Sequence, residues 1–178
     1  YAALCQENDI VPIVEPEVLI DGDHDLGRSF AVTQHAQHTV FAALADQDVD
    51  LRGIVLKPSM VISGAGAADR AGIREVAQET LRCLLSTVPA AVPGIAFLSG
   101  GQSDEEATQH LNAMNEIGGS LPWAVTFSYG RALQAAAMKR WAGHSDNVES
   151  ARQVAFHRAQ MNGAAALGQY SSEMEKAA

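Results

Sequence analysis

Four short, mostly apolar runs punctuate the chain, at Val11–Glu17, Gly53–Ser59, Gly94–Ser99 and Ala124–Ser128. Such runs bounded by turn residues predict strands. Each precedes a longer stretch of helical periodicity. Asp25–Ala45 carries Leu26, Phe30, Val40, Phe41 and Leu44, and Ile73–Val88 carries Ile73, Val76, Ala77, Leu81, Leu84 and Leu85, which predicts two amphipathic helices. Ser103 stands three residues before Glu106, in capping-box spacing, so a third helix starts there. A fourth is expected over about 132–141 and a last over about 147–167, while Tyr1 to Asn8 read as the end of a helix.

Strands alternating with helices predict βαβ units and a parallel sheet, because parallel neighbours need a crossover of a dozen or more residues. The strands recur roughly every 30 to 40 residues with no Gly/Ser-rich linker, so residues 1–178 read as a single domain. An open doubly wound sheet and half of a (β/α)8 TIM barrel both fit this order. A barrel gathers its chemistry at the carboxyl ends of all its strands. Polar residues stand at each such end here: Glu15 and Glu17, Lys57 and Ser59, Ser99, then Ser128 and Arg131. The expectation is an α/β half-barrel of about four βα units with a helix at its C-terminal end.

At 178 residues, 47% hydrophobic and 19% charged, the chain can bury a core. No apolar stretch approaches the roughly 20 residues needed to span a bilayer, and no export signal is evident, so a cytoplasmic location without a membrane partner is expected. The net charge of −9 argues against nucleic acid, whose binders cluster Lys and Arg. Cys5 and Cys83 match no zinc or redox spacing and read as buried, reduced thiols. The chain opens without methionine and reads as a piece of something longer.

Lys57 interrupts an apolar run, where a charge is costly unless something needs it. Burial lowers a lysine pKa and frees the amine as a nucleophile toward a carbonyl, which points to Schiff-base chemistry. The plain alternative is a strand-end lysine that lays its methylenes on the core and extends its head into water. Glu15 and Glu17, one residue apart, would share a strand face, and their repulsion would raise one pKa and suit it to acid/base work; a solvated strand end is the alternative. In a barrel both would project toward the interior where Lys57 also points, and a paired Glu and Lys there is costly enough to call for a function. Ser99-Gly100-Gly101 leads from a strand into the capped helix, so its amides can approach an anion. Ser128-Tyr-Gly130-Arg131 adds a second glycine turn and a guanidinium suited to phosphate, unless Arg131 pairs with a surface carboxylate. The last two loops of such barrels are where phosphate most often docks. His35 and His38 lie three apart but find no further ligand, so they read as a solvated face and no metal is expected. No serine-hydrolase elbow, Walker loop or Rossmann fingerprint occurs.

Read in order, Val11-Pro-Ile-Val-Glu-Pro-Glu17, Leu56-Lys-Pro-Ser-Met60, Phe97-Leu-Ser-Gly-Gly-Gln102 and Trp123-Ala-Val-Thr-Phe-Ser-Tyr-Gly-Arg-Ala-Leu133 closely resemble class I fructose-1,6-bisphosphate aldolase, from Tyr1 to about Tyr170. The resemblance implies the second half of a TIM barrel in a cofactor-free, metal-independent lyase of glycolysis and gluconeogenesis. It implies that Lys57 forms the Schiff base with the ketose carbonyl, that Glu15 moves protons and that Glu17 supports the lysine electrostatically. Ser99, Gly100, Ser128, Gly130 and Arg131 fall on phosphate-binding positions, and a homo-oligomer, a tetramer in many members, is implied too. Departures are Ser59 where the family often has asparagine, small residues over Ser63–Ala68, and an ending at Glu175–Ala178 without the terminal tyrosine of many animal members. The family's first four units supply an aspartate and further lysines to the same site, so these residues alone are expected to fall short of full catalysis and to expose two sheet edges. Two other readings are a deoxyribose-phosphate aldolase or transaldolase type of Schiff-base barrel, and a non-catalytic fragment that binds sugar phosphates or a protein partner.

Overall fold

The structure is a computed structural model and describes residues 1–177; Ala178, the last residue of the terminal stretch, lies outside them. Four strands form, β1 (Ile13–Val14), β2 (Val55–Leu56), β3 (Gly94–Phe97) and β4 (Ala124–Phe127), each inside an expected run and shorter than it. Proline explains part of the shortening: Pro16 and Pro58 have no amide to donate to a ladder just past β1 and β2. The helices are α1 (Ala2–Gln6), α2 (Leu26–Asp46), α3 (Ile73–Thr87), α4 (Asp104–Ile117), α5 (Arg131–Trp141) and α6 (Val148–Ala165). Short 3-10 turns cover Leu51–Gly53, Ser145–Asn147 and Ser172–Ala177.

All strand pairs are parallel and the sheet runs β1-β2-β3-β4, in chain order. A doubly wound sheet reverses its strand order at a switch point and carries helices on both faces. Here the order never reverses, and α2 packs on α3, α3 on α4 and α4 on α5 and α6. That is the winding of a barrel, so the half-barrel expectation holds and the doubly wound alternative falls.

The sheet buries one face. Val14, Leu56, Ile95 and Val125 lie in register and all are buried, joined by Val76, Leu84, Leu111 and Met114 from the helices. Burying each such side chain is worth roughly 1.5–3 kcal/mol. The next row, Ile13, Val55, Gly94 and Ala124, is half-buried or exposed on the opposite face.

One helix departs from its predicted face. The buried stripe of α2 is Ser29, Thr33, Gln37 and Leu44, while Leu26, Phe30, Val40 and Phe41 are only partly covered. The cause lies in the buried segment after β2. Residues 58–64 are buried yet belong to no strand, and their amides need partners. Ser29 Oγ accepts from Ile62 N at 3.1 Å and Thr80 Oγ1 from Val61 N at 3.0 Å. Leu85, expected on the apolar face of α3, is exposed. Both cysteines are free. Cys83 is buried as expected, with burial pushing its thiol up to about 11, whereas Cys5 is only half-buried because α1 lies at the margin of the core.

Candidate functional site

Continuing the β1–β2 register one residue past Val14 and Leu56 brings Glu15 beside Lys57. The ladder itself extends that far, since Lys57 N donates to Val14 O at 2.7 Å. In-register neighbours of parallel strands point to the same face. Lys57 Nζ accordingly lies 3.0 Å from Glu15 Oε1, on the open face, with side chains 21% and 44% exposed. The Glu–Lys pair expected on one face of a curled sheet forms, through Glu15; what differs is the environment, since Lys57 is half-buried against a carboxylate and not enclosed by aliphatic neighbours alone.

The expected pair of carboxylates is likewise replaced. β1 ends at Val14, so Glu15 and Glu17 occupy the following loop, both exposed. Glu15 meets Lys57, while Glu17 extends to the next unit: its Oε1 would lie 3.4 Å from a Cβ at Gly100. Ser59, the departure after Lys57-Pro58, locks this loop. Its Oγ accepts from Val18 N at 2.8 Å and faces Val18 O at 3.3 Å. The small residues of 63–68 have a similar cause. Ala65 N donates to Ile20 O, Gly66 N to Gly22 O and Gly64 N to His24 O, and a Cβ on Gly64 would meet Gly22 O at 2.4 Å. Only a bare backbone lets the loop after β1 approach so closely.

Past β3, Gln102 N closes a turn on Ser99 O at 3.1 Å, with Gly101 at φ +72° in its third position. Ile20 packs on that glycine so tightly that a Cβ would lie 2.3 Å from its Cγ2. Ser99 is buried, and no hydrogen bond to its hydroxyl is found among the described residues. Ser103 then caps α4 through both bonds of the capping box.

Past β4, Ser128 N donates to Phe97 O at 2.8 Å, which joins this loop to the previous strand. Gly130 is the N-cap of α5 and Arg131 its first residue, exposed and without an ion pair among the described residues; the surface pairing considered for Arg131 does not form. Sequence reasoning missed Tyr129, a buried phenol that donates to Ala107 O at 2.9 Å and packs against Phe127 with ring centroids 5.5 Å apart and planes tilted by 44°. It also missed Gln102 and His110, whose Oε1 and Nδ1 lie 2.7 Å apart. An apolar-periodicity reading passes over polar residues on a buried helix face, although Tyr129 between the paired serine and glycine was visible.

His35 and His38 are exposed on α2, as read. Among the described residues no three or more His, Cys, Asp or Glu side chains converge, and no helix is long and apolar enough to cross a membrane.

The geometry is then a carboxylate–ammonium pair at the carboxyl ends of β1 and β2, flanked by two glycine turns at the ends of β3 and β4. Comparison with known proteins bears on it directly. The family model for fructose-bisphosphate aldolase class-I matches residues 1–178. A Xanthomonas campestris protein described as a probable fructose-bisphosphate aldolase class 1 is 53% identical over 96% of this chain and 51% of its own length. Aldolase C of Rattus norvegicus is 52% identical over 96% of this chain and 47% of its own, and the cytosolic fructose-bisphosphate aldolase 4 of Arabidopsis thaliana 47% identical over 98% and 44%. A solved aldolase of Plasmodium falciparum, in complex with TRAP and a small-molecule inhibitor, superposes with a TM-score of 0.94 at 48% identity over 97% of this chain and 49% of that one. The chain spans about half the length of the relatives it matches.

Proposed function

This chain belongs to the class I fructose-bisphosphate aldolases, and on that premise we propose that it forms the C-terminal half of a barrel that cleaves fructose 1,6-bisphosphate reversibly to dihydroxyacetone phosphate and glyceraldehyde 3-phosphate. The observation that carries the reading is the 3.0 Å pair of Lys57 Nζ and Glu15 Oε1 at adjacent strand ends. The amine attacks the ketose carbonyl and a carbon–nitrogen bond forms. Glu15, within hydrogen-bond reach of Nζ, takes the amine proton and returns it as the carbinolamine hydroxyl leaves as water. The iminium then receives the electron pair of the breaking carbon–carbon bond, the neighbouring hydroxyl gives up its proton to a base, and aldehyde departs from an enamine. Protonation and hydrolysis release the second triose phosphate and restore the amine. Glu17 supports the charge around the lysine.

Ser99, Gly100, Ser128, Gly130 and Arg131 hold the phosphate beside the ketone. Support comes from the half-buried Gly100 and exposed Gly101 of the turn, the Arg131 guanidinium without an ion pair among the described residues, and the start of α5, where orphan N–H groups and the helix dipole favour an anion. Residues 1–178 act as one domain whose open sheet face and edges, β1 and β4, receive the remaining units. A cytoplasmic homo-oligomer follows from the family reading, and the cytosolic plant relative agrees with the location.

Borohydride reduction of the full-length protein with dihydroxyacetone phosphate should leave one covalent adduct, which peptide mass analysis assigns to Lys57. An unmodified Lys57 in protein that still cleaves substrate would sink the mechanism.

A further inference from the structure

The buried polar groups that the mechanism leaves unused include His110, on the core side of α4 and 1% exposed. Its neighbours on the helix, Ala107, Leu111 and Met114, are fully buried and apolar. An imidazole there is expensive, and its Nε2 has no partner among the described residues. The other nitrogen explains its presence. Nδ1 lies 2.7 Å from Gln102 Oε1, an acceptor, so Nδ1 carries a hydrogen in this pairing. Burial, aided by the charge of Arg70, holds its pKa down at about 4, so the ring is neutral near neutral pH and its one hydrogen is the one on Nδ1.

Gln102 is the residue whose amide closes the turn on Ser99 O. The turn enters from β3 with Gly101 in a left-handed conformation and leaves into the capping box at Ser103. Its entrance is fixed by the sheet; without the imidazole, the half-buried Gln102 side chain would be free to rotate at its exit.

We propose that His110 is a positioning residue for the Ser99–Gln102 turn: by donating Nδ1–H to Gln102 Oε1 it holds the turn amides and the Ser99 hydroxyl where the ketose phosphate is received. The inference rests on the reading of that turn as a phosphate site. His110 does not touch substrate. It acts from the helix side through Gln102, as groups behind a contact residue do when they fix its orientation.

The test uses the full-length protein with fructose 1,6-bisphosphate, measuring kcat, KM and Tm for Ser99→Ala, Gln102→Ala, His110→Ala, His110→Asn and the Gln102→Ala/His110→Ala double variant. Gln102→Ala and His110→Ala should each raise KM about tenfold with kcat within about twofold. The double variant should be no worse than either single, and His110→Asn, which keeps a donor, should recover most of the loss. If Ser99→Ala raises KM while Gln102→Ala does not, the positioning role is overturned and the phosphate reading stands. Unchanged KM in Ser99→Ala removes the phosphate reading and this role with it. Additive losses in the double variant, or a fall in Tm with KM unmoved, would also overturn it. Should His110→Ala fail to fold, Gln102→Ala, made at a half-buried position, decides the matter alone.

Discussion

Glu15 separates two requirements that a single residue rarely displays so openly: charge beside Lys57 and a proton to move. Glu15→Gln keeps the size and a hydrogen-bonding head but cannot cycle a proton, so kcat should fall about 10²–10⁴-fold while the borohydride adduct on Lys57 still forms, more slowly. Steady-state kinetics and rapid-quench trapping on the full-length protein read the two effects apart. His110 sets a pH dependence of stability. Above its ordinary value of 6.5 the ring is neutral folded or unfolded; between 6.5 and about 4 only the unfolded chain takes up the proton, so stability falls as pH falls through that window. Glu175 acts in the same direction at lower pH. Burial opposes its carboxylate, but bonds from Arg158, His157 and Tyr170 outweigh this and hold its pKa below 4.5, so its contribution is full above 4.5 and lost as pH drops through the lower folded value. Urea melts at pH 7 and pH 5 should differ by about 2 kcal/mol on account of His110, and His110→Asn should lose that part of the difference.

At the scale of elements, the loop that joins β3 to α4 is sensitive to substitution at two positions. Gly101 combines a positive φ with a contact from Ile20, so Gly101→Ala would suffer both the left-handed penalty of roughly 1 kcal/mol and the displacement of Ile20. Ser103→Ala removes the N-cap bond to Glu106 N and should cost about 1 kcal/mol. The two sites are two residues apart but act differently. Both lower Tm, yet only Gly101→Ala should raise KM for the bisphosphate severalfold, since the cap lies in the helix and the glycine in the turn. Equal KM values for the two variants would show that the turn geometry does not matter to binding.

The terminal 3-10 turn is fastened across the whole molecule. Arg158, 5% exposed at its side chain, reaches both oxygens of Glu175 at 2.7 and 2.6 Å and Thr108 Oγ1 at 2.8 Å, which ties α6 to α4 and to the chain end. Tyr170 donates to Glu175 and His157 completes the cluster. Arg158→Ala would leave that partly buried carboxylate with only His157 and Tyr170 as partners and Thr108 without its guanidinium donor, a loss of roughly 1–3 kcal/mol measurable by chemical denaturation. At the same scale, the 178-residue polypeptide alone should turn over fructose 1,6-bisphosphate at under about 1% of the full-length rate, because half a barrel offers half a preorganised site. Adding the complementary half should restore activity; ordinary turnover by an intact 18.8 kDa chain would refute the division.

The strand positions, the helix starts at Asp25 and Ser103, and the family motifs were legible in the chain, because alternation, helical period and capping are local and each depends on residues a few positions apart. Strand length was less so: prolines cut β1 and β2 to two residues each. What only tertiary structure decided was partnership. Register set Glu15 against Lys57 in place of Glu17, the buried segment after β2 turned the polar stripe of α2 inward, and α4 carried His110 to Gln102. Each of these depends on which backbone amides lack a ladder partner and which rows of parallel strands coincide, and neither quantity exists until the units pack.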